Sequence, residues 1–178
     1  LLSEKTKLMA VVKANAYGHD DETMSKLFSS MGIENFAVSN IHEAEKLRSY
    51  GIKGDILILG YTSPEYSEEL SRFDIINTAV SYDHAKALSE NAESPVRIHI
   101  KLDTGMGRIG FRDNEDDLSE ISRINELSNL HLQGIFTHFA KADETDLTYA
   151  KKQLNTFHDV INKLSDRGIQ FDIVHAAN

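Results

Sequence analysis

The chain has 178 residues, enough for one large domain with a substantial core, and its 40% hydrophobic and 26% charged content is an ordinary soluble balance. A formal charge of −9 and a pI near 5.3 repel phosphate, which argues against non-specific binding to nucleic acid or anionic membrane. There is no cysteine, so disulfides, thiolate metal sites and cysteine nucleophiles are excluded.

Taken in chain order, apolar runs alternate with polar stretches of helical period. Strands are predicted over residues 7–15, 35–39, 55–60, 74–80, 96–103, 132–140 and 171–177. Helices are predicted over 22–31, 41–50, 64–72, 82–91, 115–128 and 147–167. Gly32, Gly51 and Gly168 stop three helices, and Ser81 N-caps the fourth. Parallel strands need crossover connections, so this alternation predicts an α/β fold with a parallel sheet. A (β/α)8 TIM-type barrel competes with an open doubly wound sheet. Seven strand–helix units without a long mid-chain break favour the barrel, incomplete by its last unit. We expect a single domain over 1–178, cut before that unit. The apolar runs are far shorter than the roughly 20 residues that cross a bilayer, and no signal peptide is visible. A cytoplasmic location is expected, with no membrane contact by this segment, although the parent could be the cytoplasmic domain of an anchored protein.

Side chains alternate faces along a strand. In 96–103, Val96, Ile98, Ile100 and Leu102 share one face, and Arg97, His99, Lys101 and Asp103 the other. An apolar face toward the helices points the charged face into the barrel, where branched aliphatics ordinarily fill the layers. An edge strand with one solvated face would give the same pattern. The pattern recurs, however. Lys13 ends the first strand on the face of Met9 and Val11, His138 ends the sixth beside Phe136, and His175 ends the seventh beside Phe171 and Ile173. Lys13, Lys101, His138 and His175 would then converge at the C-terminal mouth, where barrel active sites form.

Two other chemistries are set aside. The run G-M-G-R-I-G at 105–110 matches a dinucleotide fingerprint, but F-R-D-N-E-D-D follows it, too acidic to cradle a pyrophosphate. Lys101, His138 and His175 resemble the metal cluster of barrel hydrolases with a carboxylated lysine. Those enzymes carry an H-x-H pair on the first strand, whereas this chain has Lys13, a poor ligand when protonated. No metal is expected.

A lysine at a barrel mouth suits pyridoxal 5′-phosphate (PLP), which needs an amine for its Schiff base and then takes up the electron pair of a Cα carbanion. Alone, such a lysine is more often a snorkelling surface residue. Four segments decide the matter: M-A-V-V-K-A-N-A-Y-G-H at 9–19, K-L-D-T-G-M-G-R-I-G at 101–110, T-H-F-A at 137–140 followed by A-D-E at 142–144, and V-H-A-A-N at 174–178. Together they resemble the alanine racemase family in order and spacing, across the whole chain.

The resemblance implies roles at these positions. Lys13 would carry PLP and act as base on one face of the substrate Cα. Tyr17 would hydrogen-bond the phosphate. Arg108 would reach the ring's phenolic oxygen and, with Met106, contact the substrate, its guanidinium holding the carboxylate. Lys101 corresponds to a lysine that CO2 carboxylates in many members. His138 and His175 would belong to the network on the pyridine-nitrogen side, and Asn178 to the cofactor site. The family motif that begins at His175 runs on into a phosphate-binding serine beyond Asn178. An eighth strand, an arginine for the pyridine nitrogen and a C-terminal β domain would also lie beyond. In the family that domain supplies an opposing tyrosine base across a head-to-tail homodimer. Racemisation needs a base on each face of Cα. The expected function is therefore PLP-dependent interconversion of L- and D-alanine, supplying cell-wall precursors, by a parent of which this piece alone is inactive. A serine racemase of the glycopeptide-resistance type and a non-catalytic PLP-binding barrel are the alternatives.

Overall fold

The seven apolar runs pair side by side in the order in which they occur. A computed structural model describes residues 6–177; Asn178, a candidate cofactor residue, lies outside the described residues. The strands are β1 (Met9–Val11), β2 (Asn35–Val38), β3 (Asp55–Ile58), β4 (Asn77–Ala79), β5 (Val96–Leu102), β6 (Leu130–His138) and β7 (Ile173–Ala177). Every pairing is parallel, in the orders β1-β2-β3 and β4-β5-β6-β7. A Leu57–Ile76 bridge joins the two sets, with Ile58 N donating to Ile76 O at 2.9 Å and Ile76 N to Ile56 O at 2.8 Å. Sequential order excludes the doubly wound alternative, whose sheet reverses direction at a switch point. The outer strands come round to face each other, since Met9 of β1 and Ile173 and His175 of β7 line one cavity. The result is a partial β/α barrel.

Helices α1 (Asp21–Ser30), α2 (Ile41–Ser49), α3 (Ser67–Arg72), α4 (Tyr82–Asn91), α5 (Glu115–Ile124) and α6 (Thr148–Asp166) connect successive strands. Their starts follow from capping: Asn40, Ser81 and Asn114 accept from the backbone N–H three residues on. Gly32, Gly51 and Gly168 follow helix ends with φ of 85, 88 and 81°, as their positions predict. The apolar strand face, including Ile56, Ile98, Ile100 and Ile135, packs under the helices with Leu47, Leu88, Ile121 and Phe157. The opposite face builds a small interior cluster of Leu57, Ile76 and Phe136, against which Met9 and Leu59 pack.

Three predicted elements are corrected. The strand expected over 7–15 stops at Val11, because the backbone turns left-handed beyond Lys13. The helix expected over 64–72 begins as a 3-10 turn at Pro64–Tyr66, with the proline in its first turn, before α3. The strand expected over 74–80 shortens to Asn77–Ala79.

Candidate active site

Lys13 stands where β1 ends, half-buried and facing the barrel mouth. Ala14, Asn15, Ala16 and Tyr17 follow with φ of 52, 53, 50 and 54°, forming one turn of left-handed helix. Crowding between Cβ and the next carbonyl makes that conformation cost roughly 1–2 kcal/mol per L-residue, least for asparagine. The two alanines keep the crowding small. Ala16 N donates back to Val12 O at 3.0 Å, and Asn15 Oδ1 accepts from Asp21 N at 3.0 Å. The turn brings the Tyr17 ring to 6.0 Å from the Lys13 amine, within reach of a cation–π contact.

Arg108 is placed by a different device. The loop after β5 wraps around the Asp103 carboxylate, whose Oδ1 accepts from Gly105 N (3.0 Å) and Gly107 N (2.9 Å) and whose Oδ2 accepts from Arg108 N (3.0 Å). The G-M-G-R-I-G run therefore spends its amides on its own aspartate. No helix opens there until Glu115, so a pyrophosphate has neither donors nor helix terminus. Beside this loop the Lys101 side chain is buried, and its amine donates to Leu102 O at 2.6 Å. Burial pushes the amine's pKa down to about 8; the Asp103 charge opposes this and the Arg108 charge adds to it.

A pair of imidazoles, His99 fully buried and His175 half-buried, lies deeper. His99 Nδ1 and His175 Nε2 are 3.1 Å apart, and His175 stacks on Phe136 with centroids 4.8 Å apart and planes at 5°. Room for His99 comes from Gly134, where an added Cβ would lie 2.7 Å from His99 Nε2. His138, at the end of β6, is held below the ordinary imidazole range by burial, then by the charges of Arg108, Lys101 and Lys13. Gln153 of α6 braces this corner, accepting from Ala140 N at 3.0 Å and donating to Thr104 Oγ1 at 3.3 Å and His138 O at 3.4 Å.

Lys13, Tyr17, Lys101, Arg108, His138 and His175 all line one cavity of about 340 Å³. Met106 belongs to the same loop as Arg108 but does not line the cavity. Lys13, Lys101 and Arg108 bring three basic side chains to the mouth, Lys7 lies at the opposite end of β1 beside Glu34 (3.9 Å), and among the described residues no carboxylate lines the cavity, in a chain whose net charge is −9. Such a mouth fits a phosphate and a carboxylate, and the Phe136–His175 stack offers a flat aromatic surface. The residues present therefore fit PLP. Among the described residues, no three His, Asp or Glu side chains are grouped as a metal-ligand set. Sequence reasoning missed Glu43, His99 and Gln153 as parts of this site. Glu43 carried a local signal, as the third residue after the N-cap Asn40, and His99 carried one in the strand alternation that points it into the barrel.

A partial parallel barrel with a lysine at the mouth of its first strand, and with basic side chains but no carboxylate among the described lining residues, is the class of domain that suits an anionic carbonyl cofactor. The model of the alanine racemase N-terminal domain family matches residues 1–178, and the chain belongs to that family, whose domain is the PLP-binding barrel. It is 40% identical over 181 residues to alanine racemase 2 of Caldanaerobacter subterraneus subsp. tengcongensis, covering all of this chain and 47% of that protein. The alanine racemase of Clostridium difficile 630 superposes with a TM-score of 0.95 at 38% identity, over 98% of this chain and 47% of that one. A histidine racemase from Leuconostoc mesenteroides superposes with a TM-score of 0.88 at 28% identity, over 97% of this chain and 46% of that one. The chain thus spans about half the length of the relatives it matches.

Proposed function

We propose that this barrel is the cofactor half of a PLP-dependent alanine racemase. The observation that carries the reading is the cavity that gathers Lys13, Tyr17, Arg108, His138 and His175, with no carboxylate among its described lining residues. When bound, PLP supplies a ring that draws the electron pair from the bond broken at the substrate Cα. Lys13 holds the cofactor and then accepts or returns the Cα proton on one face. Tyr17 donates to the phosphate. Arg108, steered by Asp103, orients the substrate carboxylate, a bidentate task for a guanidinium. The neutral His138 and His175 border the ring without adding charge beside the pyridine nitrogen.

Inverting Cα needs a proton removed from one face and another delivered to the opposite face. Lys13 covers one. We assign the other to a tyrosine from a C-terminal domain, reaching across a head-to-tail dimer. On this reading residues 1–178 fold as one cofactor-binding domain and do not racemise alone. The Lys101 amine, with a pKa near 8, is partly neutral at physiological pH. Attack on CO2 would form an N–C bond, release one proton and leave a carbamate anion to orient Arg108. Identity of about 40% to proteins named alanine racemase supports alanine over serine. D-alanine for peptidoglycan is the product we assign. We place its work in the cytoplasm; among the described residues no helix is long and apolar enough to cross a membrane.

The test uses the intact protein. Added PLP should give a new absorbance band, borohydride should fix the cofactor on Lys13, and L-alanine should racemise. Substituting Lys13→Ala should abolish all three. Racemase activity that survives K13A, or no uptake of PLP at Lys13, would overturn the assignment.

A further inference from the structure

We infer that Glu43, on the first turn of α2, is the positioning residue for Lys13, acting through the peptide N–H that follows the lysine. Glu43 Oε1 accepts from Ala14 N at 2.9 Å, and Oε2 accepts from Ser39 N at 2.7 Å. One carboxylate thus ties together the mouth ends of β1 and β2. Strand pairing cannot do this for Lys13, because the last bond from β1 to its neighbour is Val12 N to Ala37 O. Among the described residues the Lys13 amine makes no hydrogen bond or ion pair, and the Tyr17 ring 6.0 Å away belongs to the same turn, so the amine's direction is set by the backbone that turn builds. That backbone enters a left-handed turn at Ala14, a conformation L-residues leave unless held.

The carboxylate is free for this task because of how α2 begins. Asn40 caps the helix by accepting from Glu43 N at 3.0 Å. In a capping box the third-position glutamate returns to the N–H of the cap residue itself. Here Glu43 reaches instead to Ser39 and across to the neighbouring strand. A carboxylate accepting from two backbone N–H groups makes charge-assisted hydrogen bonds, stronger than neutral ones. Asn15 to Asp21 anchors the far side of the turn, so Glu43 holds the end that carries the lysine.

The turn's dependence on Glu43 stands by itself; its consequence for cofactor capture rests on the racemase reading. The experiment uses the intact protein freed of PLP, comparing wild type with Glu43→Ala and Glu43→Gln. Hydrogen exchange at the amides of 14–17 should quicken by about tenfold or more in E43A, the effect of losing one charge-assisted hydrogen bond. Exchange in β2, β3 and the later turns of α2 should stay as in wild type. Covalent capture of PLP by Lys13 should slow in the same proportion. E43Q, which keeps one acceptor oxygen, should fall between. Unchanged exchange at 14–17 in E43A would overturn the inference, and so would exchange rising equally throughout α2 and the sheet, which marks a general brace. If wild type captures PLP at Lys13 and E43A matches it within twofold, the positioning role fails while the racemase reading stands. If wild type captures none, the racemase reading fails, and the exchange data still decide the turn.

Discussion

His99 and His175 meet ring to ring, Nδ1 to Nε2 at 3.1 Å, from strands 76 residues apart in sequence. Burial, then the neighbouring His175, pushes His99 down to about 3, and burial pushes His175 down to about 4, so both rings are neutral at physiological pH. One proton lies between them. Only one of the two facing nitrogens can bear that proton, so one ring donates and the other accepts. Nitrogen-15 NMR of labelled histidines should show both rings neutral, each with one protonated nitrogen, from pH 6 to 8. A His99 or His175 ring protonated at both nitrogens in that range would exclude a neutral pair.

The same two rings make stability depend on acid. Unfolded histidine takes up its proton near pH 6.5, whereas these two stay neutral in the folded state until about pH 4 and below. Between those limits the unfolded chain binds more protons, so stability rises with pH through the window and is complete above 6.5. Denaturant midpoints should fall as pH drops from 7 toward 4.5. His99→Asn, which cannot titrate, should flatten that slope by nearly one proton's worth. An identical slope in H99N would exclude the pair as its source.

Gly134 should be intolerant of even one methyl group. An added Cβ would lie 2.7, 2.8 and 2.9 Å from Nε2, Cδ2 and Cε1 of His99, a ring with no measurable exposure that is held by His175. The ring can move away only by breaking its contact with His175. Gly134→Ala should destabilise the protein by about 1–3 kcal/mol, in the range of overpacked cores. It should also disturb the stacking of His175 on Phe136. Equilibrium denaturation gives the first effect, and the histidine ring shifts the second. A midpoint equal to wild type would mean that β6 slides at its register irregularity beside His99.

The β/α alternation and the inward charged face of 96–103 were legible because side-chain periodicity is a local property. Lys13, Tyr17, Arg108, His138 and His175 were legible as a family pattern, and the structure gathers them in one cavity. The left-handed turn was not legible, since alanine and tyrosine carry no local signal for positive φ, one asparagine carries only a weak one, and the turn is held by Glu43 from the next strand–helix unit and by Asp21 six residues past Asn15. Gln153 was hidden for a related reason: its partners come from two other loops. The inward direction of His99 could be read from strand alternation, but its pairing with His175 depends on how β5, β6 and β7 align.

Asp103 sets the loop that carries Arg108, and that makes it the most exposed point of the arrangement. Its two oxygens accept three backbone N–H groups within five residues, so the loop conformation is built on one carboxylate. Asparagine at this position keeps one acceptor oxygen and sets an NH2 group against N–H donors, while alanine removes every acceptor. Misplacing a positioning group by about 1 Å can cost on the order of 100-fold in rate. Asp103→Ala in the intact protein should therefore lower kcat/KM by roughly that factor, with D103N close behind. The loss of stability should be smaller, about 1–3 kcal/mol, because the loop is largely exposed and water replaces part of the lost bonding. Binding of PLP should weaken less than kcat/KM falls, since Arg108 loses its reach to the ring while β1 and the Lys13 turn do not depend on this loop. Kinetics, denaturation and cofactor titration on the same variants separate these effects. If kcat/KM stayed within threefold of wild type, Arg108 would not owe its placement to Asp103.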